Sequence, residues 1–332
     1  MDMRRFLVRK AVYLTVTMFA ILVTNFLMFR VMPGNPARAF APKGITPEIE
    51  QLIMERFHLT EPLLTQFYYY LLQVIQLDFG VSSTLRPGAE VATVMAPMLL
   101  NTIILVGVGT TVAIYAGIAL GRYVAWRRGQ AADTVGMAFT LTFYSMPTYI
   151  LALAFLMFFA GYLDLFPLKG AYGELPFVNN PSSYSSMDIL EKLVSRGYHL
   201  VLPASAFALQ YMADFALIMR NSLTDVLTED YITTARAKGL SNEAILKDHA
   251  TRNALLPVVT VMAISIGWVL GGEIMVELIF SYEGIGQLTW DAVNKRDYPL
   301  LQALFLIMAV AVLIANLLAD IIYTYLDPRV TI

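Results

Sequence analysis

Apolar residues in this chain gather into long runs. Six of them approach the roughly 20 residues a helix needs to cross the hydrocarbon core of a bilayer. They cover about 11–31, 99–126, 134–162, 200–219, 255–279 and 300–326. The fourth is the least clean, because Pro203 and Asp214 interrupt it. The pattern predicts an all-α polytopic membrane protein with six transmembrane helices. The first run is longer than the roughly 7–15 residues of a secretory signal core, and five more follow it. It therefore reads as a retained helix, although Ala37-Arg38-Ala39 imitates a cleavage site.

The polar stretches between the runs form two sets. Lys and Arg near span ends mark the cytoplasmic side. Arg4, Arg5, Arg9 and Lys10 precede the first run, and Arg127 and Arg128 follow the second. Arg220, Arg236, Lys238, Lys247 and Arg252 lie between the fourth and fifth. This places 1–10, 127–133, 220–254 and 327–332 in the cytoplasm, with both termini. Segments 32–98, 163–199 and 280–299 fall outside, and the first of them carries Glu48, Glu50, Glu55 and Glu61.

Segment 32–98 has helical signals. Thr46 can cap a helix whose first position is Pro47, and "PLLTQFYYYLLQVIQL" follows as an amphipathic helix. Such helices either lie on the outer membrane face or offer a docking surface to an outside partner. Segment 163–199 reads as a loop, "NNPSSYSS", followed by a short helix, "MDILEKLVSRGYH".

Segment 229–257, "EDYITTARAKGLSNEAILKDHATRNALLP", is polar, charged and helical in pattern. Thr228 is the expected N-cap, with Glu229 and Asp230 in the first turn. Lys238 falls in the last turn and Gly239 suits the C-terminal cap. Ser241 then caps a second helix leading into the fifth run. Ala235 and Ala237 give the first helix a small surface for close approach by another protein. A helix of this length packed on nothing is marginal in water, which favours a partner over a plain connector.

Composition narrows the chemistry. The chain is 58% hydrophobic and 14% charged, against about 25% charged in a soluble domain. It has no cysteine, and His58, His199 and His249 are far apart, so no metal site is expected. No phosphate-binding loop occurs: "GVGTTVAIYAG" lacks the lysine and lies inside a run, where glycine serves helix packing. The expectation is a non-catalytic chain that binds no cofactor of its own. Ionisable residues inside the runs are functional candidates, since a charge at the bilayer centre costs at least about 2.5–3.5 kcal/mol. Asp214 leads them as a substrate-path residue. Glu273 and Glu277, four apart on one helix face, follow, with Glu273 toward a cavity and Glu277 structural. Tyr144, Tyr149, Tyr211 and Trp268 line such a path or simply pack.

At 229–257 the sequence resembles the cytoplasmic loop of ABC importer permeases of the peptide and nickel class. The resemblance spans nearly the whole chain, through "RVMPGNPA", "HLTEPLLTQFYYYLLQVIQLDFGVSS", "VELIFSYEGIGQL", "RDYPLLQAL" and "LDPRV". It departs from the family at Asn35, where Asp is usual. It departs again at Thr233 and Thr234, the first two positions of the general loop's Glu-Ala-Ala, while Ala235 matches the third. The resemblance implies a type I importer permease fold with a coupling helix in which Tyr231, Ala235, Arg236, Lys238 and Gly239 contact an ATPase. It implies motif roles for Glu277, Gly284 and Gly286, and an interhelical role for Asp320. It further implies half of a pore for oligopeptides or dipeptides in the cell membrane. The implied partners are a second homologous permease, two ATP-binding subunits that use ATP and Mg, and an extracytoplasmic binding protein. Oligosaccharides and nickel are alternative cargoes, nickel being disfavoured because no run contains His or Cys. A reading of another class is an ion-coupled transporter using Asp214, Glu273 and Asp320 as a proton relay. It lacks an inverted repeat.

Overall fold

A computed structural model describes residues 3–30, 60–174, 184–268 and 272–326, and positions 51, 54, 55 and 58. The described residues are helical, apart from connections and one isolated bridge between Val81 and Glu90. In chain order they form α1 (Met3–Arg30), α2 (Leu63–Ile75), α3 (Val91–Trp126), α4 (Ala131–Ser145) and α5 (Thr148–Phe155). Helix α5 continues as a π-helical turn, Leu156–Tyr162. Next come α6 (Ile189–Val226), α7 (Asp230–Ala237) and α8 (Asn242–Ala244), the last running through a second π-helical turn, Ile245–Ala250, into α9 (Thr251–Trp268). Helices α10 (Ile274–Ile279), α11 (Ile285–Lys295) and α12 (Tyr298–Leu326) complete the described residues. The expected helix beginning at Thr46 lies outside the described residues.

Among the described residues, four stretches are long and apolar enough to cross a membrane: Val8–Arg30, Val91–Trp126, Ile189–Val226 and Tyr298–Leu317. The third apolar run is two helices rather than one. Helices α4 and α5 meet at 100° and make a fifth span only if the bent pair counts as one. The cause is Pro147: the residue before a proline is pushed out of the helical region, and Met146 is extended at φ −87°, ψ 123°. The fourth run is also longer than its apolar part. The expected short helix and span merge into one 38-residue helix, α6. It starts at a capping box in which Asp188 accepts from the Glu191 N–H at 2.8 Å and Glu191 accepts from the Asp188 N–H at 3.1 Å. The fifth run reaches Trp268 as α9 and then meets 269–271, outside the described residues.

The chain divides into two compact units. The first comprises Met1–Thr102, Leu270–Ile274 and Glu283–Ile332. Within it α1 packs along α12, and Asn25 donates to the Gln302 carbonyl at 3.1 Å. Helix α2 leans on α1 through Phe67 against Phe19 and Phe26. A core of Val91, Val94 and Met95 meets Ile285, Leu288, Leu300 and Leu304. Helix α11 starts at the buried Gly284, and the Ile285 N–H donates to the Thr102 hydroxyl at 2.8 Å.

Asp297 closes this unit. Its carboxylate is fully buried and lies just ahead of α12. It accepts from the Ser82 hydroxyl at 2.5 Å, the Leu85 N–H at 2.9 Å, and the Ser83 and Thr84 N–H groups at 3.1 Å each. Burial pushes its pKa up, but the Ser82 hydroxyl and the backbone N–H groups of Leu85, Thr84 and Ser83 outweigh it. The carboxyl is held below the usual carboxylate range. With a folded pKa below the unfolded value of about 3.9, this stabilisation is complete above that value and is lost as pH falls through the folded one. Acid unfolding of Asp297→Asn, followed by tryptophan fluorescence below about pH 4, should therefore show a shallower loss of stability with falling pH than the parent chain.

The second unit comprises Ile103–Val269 and Met275–Tyr282. Here α3 and α6 touch backbone to backbone. A Cβ on Gly117 would lie 2.7 Å from the Met212 carbonyl oxygen, and one on Gly121 would lie 2.5 Å from that of Ala216. Ala113 and Ala125 continue the same face at helical spacing and are buried. One core joins Ala113 and Ala125 of α3 to Phe215, Met219 and Leu223 of α6, and to Ile245, Ala250, Ala254 and Val258 farther along. A second joins Leu105 and Val106 to Leu202, Ala206 and Phe207, and to Val276, Phe280 and Tyr282.

Candidate functional site: a capped helix set into the second core

Helix α7 follows α6 after a three-residue turn. Its N-cap is Glu229, in extended conformation and without a side-chain bond. Thr228, the expected cap, instead turns its hydroxyl to the Asp225 carbonyl at 2.7 Å. The far end matches its sequence signal. Gly239, at φ +77°, donates to the Arg236 carbonyl at 3.0 Å, and Leu240 donates to the Ala235 carbonyl at 3.3 Å. This paired arrangement closes the helix and needs the left-handed conformation that glycine supplies. Ser241 then accepts from the Ala244 N–H at 3.2 Å and starts the next helix.

The two faces of α7 differ sharply. Ile232 and Ala235, three apart, are buried in the core with Leu223, Ile245, Ala250 and Ala254. Ala235 is therefore a packing residue, because spacing of three puts it on the face of Ile232, and the small surface left open is that of Ala237. Tyr231, Arg236, Lys238 and Gly239 are exposed. The Tyr231 hydroxyl accepts from the Asn253 side chain at 2.8 Å, which ties α7 to α9. A push on the open face thus passes into α6 and α9 through packed side chains, since protein interiors are too dense to absorb it.

Other candidates separate. Asp214 is half-buried on α6 and has no hydrogen bond or ion pair among the described residues. Tyr211 stacks on Phe207, with ring centroids 4.3 Å apart. Gln210, one turn before Asp214, contacts the Thr148 hydroxyl at the start of α5. Tyr144 and Tyr149 are exposed on either side of the α4–α5 break. Glu273 and Glu277 do not share a helix face: α10 begins at Ile274, after Glu273. Glu273 is half-buried in the first unit, and Glu277 is fully buried in the second. Gly286 is buried in α11. Trp268 ends α9 and Asp320 lies in α12, but both side chains are outside the described residues. No group of His, Cys, Asp or Glu suited to a metal ion occurs among the described residues.

One ion pair between distant elements escaped sequence reasoning. Arg220 on α6 and Asp133 on α4 pair at 3.1 Å. Asp133 sits in the first turn of α4, an N-terminal acid signal that sequence displays, but its partner is 87 residues away.

Residues 117–332 match the profile of the binding-protein-dependent transport system inner membrane component, and residues 3–99 match its N-terminal companion. The probable peptide ABC transporter permease protein y4tP of Sinorhizobium fredii is 32% identical over 98% of both chains. The glutathione transport system permease protein GsiC of Salmonella choleraesuis is 32% identical, and the dipeptide transport system permease protein DppB of Escherichia coli 31%, each over 99% of both chains. Among solved structures, an inward-facing MetNI methionine ABC transporter aligns at TM-score 0.53 and 16% identity. It covers 71% of this chain and 97% of that one, and shares the fold. With most of its length matched, the chain belongs to the family of binding-protein-dependent transport system inner membrane components.

Proposed function

We propose that this chain is one of two permease subunits that together form the pathway of an ATP-driven importer of dipeptides and oligopeptides. The observation that carries the reading is likeness along almost the full length to permeases named for peptide, glutathione and dipeptide transport. Like other permease subunits of this family, the chain is non-catalytic. Two partner ATPases use ATP and Mg, an extracytoplasmic binding protein delivers cargo, and this chain holds no cofactor. It spans the cell membrane several times with both termini in the cytoplasm.

Helix α7 is the contact with the ATPase in this reading. Its exposed Tyr231, Arg236, Lys238 and Gly239 meet the partner, and its buried Ile232 and Ala235 carry displacement inward. Alternating access then follows from contacts that differ between the two states. Asp214 faces the cargo path, where a carboxylate with no hydrogen bond or ion pair among the described residues suits a peptide ammonium group.

The test is uptake of a labelled dipeptide by the reconstituted complex, with its binding protein outside and ATP inside. ATP-dependent uptake supports the reading. Uptake driven by a proton gradient without the ATPases would replace it with the ion-coupled alternative. Arg236→Glu combined with Lys238→Glu should cut uptake by roughly tenfold or more, as charge reversal across an interface does. Ala235→Trp should instead lower the yield of folded chain, because the site is already filled.

A further inference from the structure

The core around α7 explains how α6 and α9 follow it. Helix α4, the first half of the broken third span, lies outside that core but packs along α6. A charged contact also crosses between them. Arg220 stands on α6 between the core residues Met219 and Leu223, and ten residues ahead of Asp230. Its guanidinium donates to both oxygens of Asp133, at 3.1 and 3.4 Å. The two side chains are only 21% and 12% exposed. Asp133 is itself held: its second oxygen accepts from the Gly129 N–H at 3.0 Å, in the turn between α3 and α4. Gly136, one turn on, lies so close to Val124 that a Cβ would come within 2.4 Å of that side chain. Thus α4 is fixed against the end of α3, and α6 is tied to that corner by a directional charged contact through Arg220 Nη2.

Packing and ion pair differ in what they transmit. Apolar packing resists compression but resists sliding weakly, because it has no preferred direction. A charge-assisted contact from Arg220 Nη2 to both carboxylate oxygens is directional as well as attractive. We infer that Arg220 and Asp133 are positioning residues for transport: a strut that makes α4, and the broken span it begins, follow the displacement of α7. This rests on the reading of α7 as the ATPase contact.

The strut is testable because the fold does not hinge on it. With Asp133→Asn the amide oxygen still accepts from Gly129, so the turn remains. The experiment uses the complete complex in proteoliposomes with its binding protein, and compares Asp133→Asn, Arg220→Gln, the exchange Asp133→Arg with Arg220→Asp, and Arg236→Glu with Lys238→Glu. It reads complex yield, ATP hydrolysis and dipeptide taken up per ATP. The parent chain has no cysteine, so spin labels on introduced cysteines in α4 and α6 report their separation with and without ATP. Each single variant should lower uptake per ATP about 5-fold or more, at normal yield and hydrolysis, the range of ordinary coupling energies. The α4 label should then stop following α6, and the exchange should recover most of the loss. Unchanged uptake per ATP in the single variants overturns the strut, as does loss of the complex in them, which would assign the pair to folding. If Arg236→Glu with Lys238→Glu also leaves uptake per ATP unchanged, the reading of α7 fails as well. If only that pair uncouples, the strut alone fails.

Discussion

Asp297→Ala should destabilise the chain by about 3–5 kcal/mol, the range for breaking a buried charged network. The substitution removes more than one contact. It strands the Ser82 hydroxyl and the N–H groups of Ser83, Thr84 and Leu85 at once, in a site where Ser82, Ser83 and Asp297 are all buried. A buried donor left without an acceptor costs about 1–3 kcal/mol. The loop 82–85 would then have to open to water, and the start of α12 would lose its cap. Asp297→Asn should recover little, because an amide NH2 group would point donors at donors. The measurement is the thermal unfolding midpoint of the purified chain in detergent, with yield of the assembled complex as a second readout. A midpoint unchanged in Asp297→Ala would show that the loop is held by something else.

Gly121→Leu should prevent folding of the second unit, and Gly117→Leu should come close. At Gly121 the first added carbon would sit 2.5 Å from the Ala216 carbonyl oxygen and 2.8 Å from Met219 Cβ. At Gly117 it would sit 2.5 Å from Phe215 Cβ. These obstacles are backbone and Cβ atoms, which have no rotamer to change, so the helices must separate. Overpacking a core costs about 1–3 kcal/mol where side chains can shift, and more is expected here. Gly107 is the internal control. It lies on the same helix with nothing near its missing Cβ. Gly107→Ala should be neutral or should gain up to about 1 kcal/mol of helix propensity. Folded yield and unfolding temperature of the three variants decide the matter. Equal behaviour of all three would mean that α3 and α6 do not meet as described.

These two sites mark where sequence was readable and where it was not. The spacing of Ala113, Gly117, Gly121 and Ala125 is visible in one dimension, and so is the apolarity of the runs, because lipid and packing impose both locally. The break at Pro147 was also written in the chain, although a continuous hydrophobic run masked it. The length of α6 was signalled by Asp188 and Glu191, which cap a helix that continues past Leu200 into the apolar part. Asp297 had a sign too, an acid just before Tyr298-Pro299 where a helix begins. What no local pattern could supply was pairing at a distance. Asp297 finds its donors more than two hundred residues away, and Arg220 finds Asp133 across α4 and α5. The direction of Ala235 was hidden for another reason: alanine is equally at ease inside or out, and only Ile232 on the same face tells which way the helix turns.

Helix α6 has a mechanical consequence. Its 38 residues make a rod of about 57 Å, nearly twice the hydrocarbon thickness. It is anchored along the way by Gly117 and Gly121 of α3, close to the helix already tied to α7. Pivoting such a rod by about 10° about the anchored segment near Ala216 swings the Ile189 end by roughly 7 Å and the Val226 end by roughly 3 Å, in opposite senses. If α6 borders the pathway of the importer proposed above, a push that narrows one mouth would widen the other with no further moving part. In the importer proposed above, the same helix would serve as a seesaw for both sides of the membrane, with α7 as the seat.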